Sequence, residues 1–230
     1  MDISNVSHLR LASWMIIAAP LVLIFSLLAF GSVVVRTDEF NQLETVSEVS
    51  NYVYENRVAW IGLSVGLLAG IGLTYAGLIL ISRYLRNTPA RIWAILSLVT
   101  FAGSILFMLF SEYFLIGLAA GPDNLPPLVA DQAVSPERAV VGTTYEHIAG
   151  LLATLGMTFL GIGLFSSRLL RRIGLIVAVI ALLLTIAGLF VGAVPGPIAF
   201  VALPIAIGLL RQESVYVNKD QENIPVSNMS

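Results

Sequence analysis

Six stretches of this 230-residue chain, near 11–35, 58–82, 92–118, 139–167, 173–193 and 195–210, are apolar over about the length that a membrane crossing needs. A hydrocarbon core takes roughly 20 residues of helix, with about 17 to 25 in use. This constrains the fold more than any motif does. It predicts an all-α, polytopic membrane helical bundle of about six transmembrane helices, filling residues 1–211. The sixth stretch is short and holds Pro204, so a re-entrant segment is an alternative for it. Composition agrees: 57% of the residues are hydrophobic and 11% charged, too apolar for a soluble domain of this size.

Composition also excludes several functions. A net charge of -2 and the lack of any basic run remove nucleic acid as a partner and leave the lipid bilayer as the main one. Cysteine is absent, which removes disulfides, iron–sulfur clusters, thiolate zinc sites and a Cys nucleophile. No HExxH or Ser-Lys-type motif occurs, so no catalytic residue is assigned. His8 and His147 fall on opposite sides of the membrane and cannot form an axial haem pair, and no cofactor is expected.

Arginine sets the direction. Arg83, Arg86 and Arg91 lie between the second and third stretches, and Arg168, Arg171 and Arg172 between the fourth and fifth. Loops rich in Lys and Arg stay on the cytoplasmic side, so both turns and both termini are expected inside the plasma membrane. The first loop holds Asp38, Glu39, Glu44, Glu48 and Glu55 against Arg36 and Arg57; the third holds Asp123, Asp131 and Glu137 against Arg138. Both are expected outside.

Local signals refine the boundaries. Thr88-Pro89 and Ser135-Pro136 each put a capping hydroxyl before a proline, predicting the starts of the third and fourth helices. In the first outer loop, Phe40, Leu43, Val46, Val49, Val53 and Tyr54 recur at intervals near three and four behind Asp38 and Glu39. A short amphipathic helix within 37–56 follows, either covering the bundle mouth or docking a partner. The first stretch reads as a retained helix and not a signal peptide, because its apolar run continues past Ala29-Phe30-Gly31 to Val35. Residues 212–230 are polar and aperiodic, which predicts a disordered cytoplasmic tail.

An internal repeat links the second and fourth stretches. "GLLAGIGLTYAGLILISRYLR" from Gly66 and "GLLATLGMTFLGIGLFSSRLL" from Gly150 match without a gap at Gly66, Leu67, Leu68, Ala69, Gly72, Thr74, Gly77, Leu80, Ser82 and Leu85, each meeting its like 84 positions later. "TFAGSILF" at Thr100 echoes "TIAGLFVG" at Thr185. The pattern predicts a parallel duplicated hairpin, helices 2-3 and 4-5, as found in transporters and wherever a gene segment has duplicated. Gly62, Gly66 and Gly70, four apart, share one helix face and predict close packing, within the chain or across a homodimer seam.

Glu112 is the only charged residue between Arg91 and Asp123. At about 1.5 Å per residue from the arginine turns, Glu112 lies roughly 30 Å along its helix and Glu146 roughly 33 Å along the next, the same level near the outer edge of the core. Glu112, Glu146 and His147 are therefore expected to share an outer-side polar site, with Tyr113, Tyr145 and Arg57 as neighbours. Three roles compete: a carboxylate reaching to water or pairing with Arg57 or Arg138, a cation or proton site, and a catalytic dyad. As metal ligands the only candidates are Glu112, Glu146 and His147, although adjacent residues on a helix point about 100° apart.

The segments "YENRVAWIGLSVGLLAGIGLTYAGLILISRYLR" and "GIGLFSSRLLRRIGLIVAVIALLLTIAGL" resemble a family of bacterial six-helix membrane proteins known only as a domain of unknown function. The resemblance lies in the Arg-containing turn into helix two and in the basic turn followed by a Gly between helices four and five. It covers most of residues 10 to 210 in topology. The chain departs at the third outer loop and at "TTYEHIAG" in helix four. The resemblance implies the six-helix fold and no reaction, cofactor or site residue.

Apolar helices without a ladder of charges, together with acidic, partly helical outer loops, favour a non-enzymatic accessory protein that binds a membrane-protein partner. A small transporter or ion-coupled carrier using the outer-side carboxylates is one alternative, and a metal-dependent membrane enzyme is the other.

Overall fold

A computed structural model of the chain describes residues 3–31, 43, 45–121, 123, 140–192 and 196–222. Among them are seven α-helices and no strand: α1 (Ile3–Ser26), α2 (Val46–Glu55), α3 (Arg57–Leu85), α4 (Arg91–Ala119), α5 (Val140–Ser166), α6 (Arg171–Val191) and α7 (Ile198–Glu222). One π-helical turn, Leu27–Gly31, continues α1. With that turn, α1 joins α3, α4, α5 and α6 as five helices long and apolar enough to cross a membrane. The apolar part of α7, Ile198–Gln212, is shorter. Pro204 lies inside α7 and Pro20 inside α1; each lacks the N–H that a helical turn uses.

Local hydrogen bonding sets three boundaries. The first α2 residue is Val46, behind a capping box in which Thr45 N–H donates to Glu48 Oε2 at 3.1 Å and Glu48 N–H donates to Thr45 Oγ1 at 3.2 Å. Such a reciprocal pair satisfies two orphan donors and fixes the start of the helix; Asp38, Glu39 and Phe40 lie outside the described residues. Thr88 Oγ1 accepts from Ala90 N–H and donates to Leu85 O, closing the turn, and α4 starts at Arg91. The backbone of α7 stays helical through the polar stretch to Glu222, since Gln, Glu and Lys propagate a helix well and no Gly or Pro intervenes after Arg211 until Pro225. Ser135-Pro136 lies outside the described residues, as do Asp131, Glu137 and Arg138.

The long helices close into a ring in which α1 packs on α3, α3 on α4, α4 on α5, α5 on α6, α6 on α7 and α7 back on α1. Helix α2 lies over the ends of α3 and α4, burying Val46, Val49 and Val53 and turning its polar face outward. The interior is apolar and tight, with Ile16, Tyr75, Leu78, Phe101, Met157, Leu160 and Ile205 fully buried. Small residues make the closest approaches. Gly62, Gly66 and Gly70 all face the α1 end of the ring: a Cβ on them would meet Phe30, Ser26 and Leu23 in turn.

Candidate polar site between α3, α4 and α5

Helix α4 carries a buried row of hydroxyls. Ser97, Ser104 and Ser111 are seven residues apart, so they lie on one side of the helix, and all three are shielded from solvent. Each meets a neighbouring helix. Ser97 Oγ lies 2.9 Å from Ser82 Oγ of α3. Ser104 hydrogen-bonds the Tyr75 hydroxyl of α3 and donates to Ala149 O of α5 at 2.6 Å, tying three helices at one level. Ser111 Oγ donates to Glu146 Oε1 of α5 at 3.3 Å. Hydroxyl partners of this kind are how apolar helices satisfy polar groups across an interface.

Glu112 caps the row. It is only 8% exposed, and the Ser64 hydroxyl of α3 hydrogen-bonds its carboxylate. Its Oε2 is buried and has no hydrogen-bond partner among the described residues. Glu146 of α5 is close enough to Glu112 for the two like charges to interact. The structure thus brings two carboxylates together at the end of the bundle opposite the arginine turns, within the terminal residues of the spans Arg91–Tyr113 and Tyr145–Ser166. A buried carboxylate lacking a full set of partners is costly in an apolar medium, and a second one beside it raises the cost. A proton or a small cation removes it.

The other candidates are placed differently. His147 is next to Glu146, yet its ring packs over Gly192 at the end of α6, where a Cβ would fall 1.8 Å from Nε2. Gly192 has φ of 96°, which suits a glycine closing a helix. The Arg57 guanidinium sits 4.7 Å from the centre of the Tyr54 ring, a cation–π contact. Tyr145 stacks on Phe107 and meets Phe110 at a tilt, at centroid distances of 6.2 and 5.8 Å. Tyr113, 79% exposed, faces away from the bundle. Among the described residues no group of three or more His, Cys, Asp or Glu side chains is arranged to hold a metal ion. The donors at the carboxylates are all oxygen, a set that suits protons and hard cations.

Sequence reasoning missed Ser64, Ser111, Ser104 and Tyr75. The seven-residue spacing of Ser97, Ser104 and Ser111 was the readable signal, since three hydroxyls on one face of an apolar helix mark a polar seam. Ser64 carried no signal, because its role depends on how α3 is rotated against α4.

The fold defines the class: an all-helical bundle with five candidate membrane crossings, whose apolar surfaces belong in a lipid bilayer. No protein-family model matches the chain, and neither a curated protein nor a solved structure shows significant similarity to it.

Proposed function

We propose that the protein is a non-enzymatic membrane bundle that takes up a proton or a small hard cation at Glu112 and Glu146, as a small ion-coupled carrier does. The observation carrying this reading is the Glu112 carboxylate, buried with an unmatched oxygen beside a second carboxylate. The hydroxyl row of Ser97, Ser104 and Ser111 supports it by supplying polar groups along α4 from the arginine end to the carboxylates. The reading takes α7 as a sixth crossing and, from the arginine turns, puts both termini in the cytoplasm at the plasma membrane. It also takes α3–α4 and α5–α6 as a duplicated hairpin, on the sequence identities between α3 and α5 at the offset of 84. Family membership of the kind the sequence resembles would add no activity.

The test is flux into proteoliposomes, read with pH- and cation-sensitive dyes inside the vesicles. Wild type is expected to move protons or a monovalent cation, and Glu112→Gln and Glu146→Gln to lower the rate at least tenfold. Unchanged flux in both variants would remove the carboxylates from the mechanism. No flux in wild type would return the accessory, partner-binding reading to first place. That second reading has its own support in α2, whose half-buried Ser47 and exposed Glu48, Asn51 and Glu55 line a hollow of about 380 Å³ on the same end of the bundle.

A further inference from the structure

The turn between α3 and α4 contains a hollow of about 530 Å³ lined by Arg83, Arg86, Asn87 and Arg91, within the roughly 300–1,000 Å³ typical of small-ligand sites. All four side chains are exposed hydrogen-bond donors, and no Asp or Glu occurs between Arg57 and Glu112. The helix dipole accounts for part of the cluster: Arg83 and Arg86 at the C-terminal end of α3 are favourably placed. Arg91 is not, because it is the first residue of α4, where a cation is disfavoured. An anion in the hollow reverses that penalty and meets the positive end of α4 as well.

The second arginine turn packs differently. There the Arg171 guanidinium rests 5.3 Å from the centre of the Phe165 ring, and the Gln212 amide of α7 donates to Leu169 O, closing over the turn. The α3–α4 turn keeps its arginines around an open hollow. Directly beyond it, Ile92 (71% exposed), Leu96 and Val99 form an uncovered apolar stripe along α4, their spacing of four and three putting them on one face. Cationic donors at the end of a span, continuous with an apolar stripe, match the two halves of one ligand.

We propose that this hollow binds the phosphate of an anionic membrane lipid. Arg83, Arg86 and Arg91 hold the phosphate oxygens, Asn87 donates to the headgroup, and the acyl chains follow Ile92, Leu96 and Val99. Planar guanidinium groups suit phosphate oxygens geometrically, and basic pockets at the ends of membrane helices are a recurrent setting for such headgroups.

The experiment is native mass spectrometry of the full chain in neutral detergent, titrated with phosphatidylglycerol, phosphatidylcholine of the same acyl chains, or inorganic phosphate. Phosphatidylglycerol is expected to be retained at least tenfold more than phosphatidylcholine. Arg86→Gln should weaken that retention about fivefold, Arg86→Lys less, and Arg168→Gln less than twofold. If Arg86→Gln does not fold, Arg91→Gln is read in its place with the same expected loss. Equal retention of the two lipids, or equal losses from the two turns, overturns the proposal in favour of diffuse surface charge. Displacement of phosphatidylglycerol by millimolar inorganic phosphate overturns the lipid assignment and makes the hollow a free-anion site.

Discussion

Hairpins α3–α4 and α5–α6 begin with matching sequence and end in different packing. Gly77 and Gly161 correspond at the offset of 84. Gly161 meets α6 backbone to backbone: a Cβ there would lie 2.7 Å from both Ala178 N and Gly174 O. Gly77 turns instead to α1, where a Cβ would lie 2.6 Å from Ile16 Cγ1 and 2.8 Å from Ala12 O. Helices α3 and α4 are left to meet through side chains, by the Ser82–Ser97 and Tyr75–Ser104 hydroxyl pairs and the Tyr75–Phe101 rings at 5.7 Å. In the second hairpin the pair Thr185 Oγ1 to Thr154 Oγ1 at 2.9 Å plays that part. A glycine face specifies close approach without specifying the partner. Where α1 is available it takes the glycines of α3, and α3 then meets α4 through the hydroxyls of Tyr75, Ser82, Ser97 and Ser104.

Five substitutions sharpen or break this contrast, each read as unfolding of the purified protein in detergent by circular dichroism. Gly161→Ala should be the most damaging, costing about 3 kcal/mol or preventing folding, because both obstacles are backbone atoms that cannot turn aside. If it is tolerated, the tight second hairpin is not what holds α6. Ser104→Ala should cost about 1 kcal/mol, within the range measured for hydrogen bonds between membrane helices, since it strips a partner from both Tyr75 and Ala149 O. A larger loss from Thr185→Val than from Ser104→Ala would reverse the assignment of the hydroxyl seam to the first hairpin. Glu112→Gln should leave stability unchanged or raise it by about 1 kcal/mol, because the amide keeps the shape and sheds a buried charge. A clear loss would make Glu112 a structural anchor instead of an ion site. Gly72→Ala should be nearly neutral or gain a few tenths of a kcal/mol, as a Cβ there meets nothing within 4 Å.

Much of the scaffold was legible before folding. Twenty-residue apolar runs read as helices because nothing else in them competes, and the arginines marked where α3, α4, α5 and α6 end or begin. The threonine and glutamate of the α2 capping box, Thr45 and Glu48, were equally readable. At the candidate site, Glu112 stood out because it is alone, whereas Ser64 looked like any small residue in a helix of small residues. His147 and Glu146 are neighbours in sequence, yet the helix turns them to different surroundings, one against Gly192 and the other toward Ser111.

By itself the sequence determined the all-helical class, the apolar lengths and the positions of the charges, because these follow from local composition and helix periodicity. Only the tertiary structure decided which helix each glycine meets, which carboxylate loses its water, and which arginine turn stays open. Those outcomes depend on the rotation and neighbours of whole helices, and in an apolar surrounding such choices are made by the fit of small residues and hydroxyl groups, not by hydrophobicity.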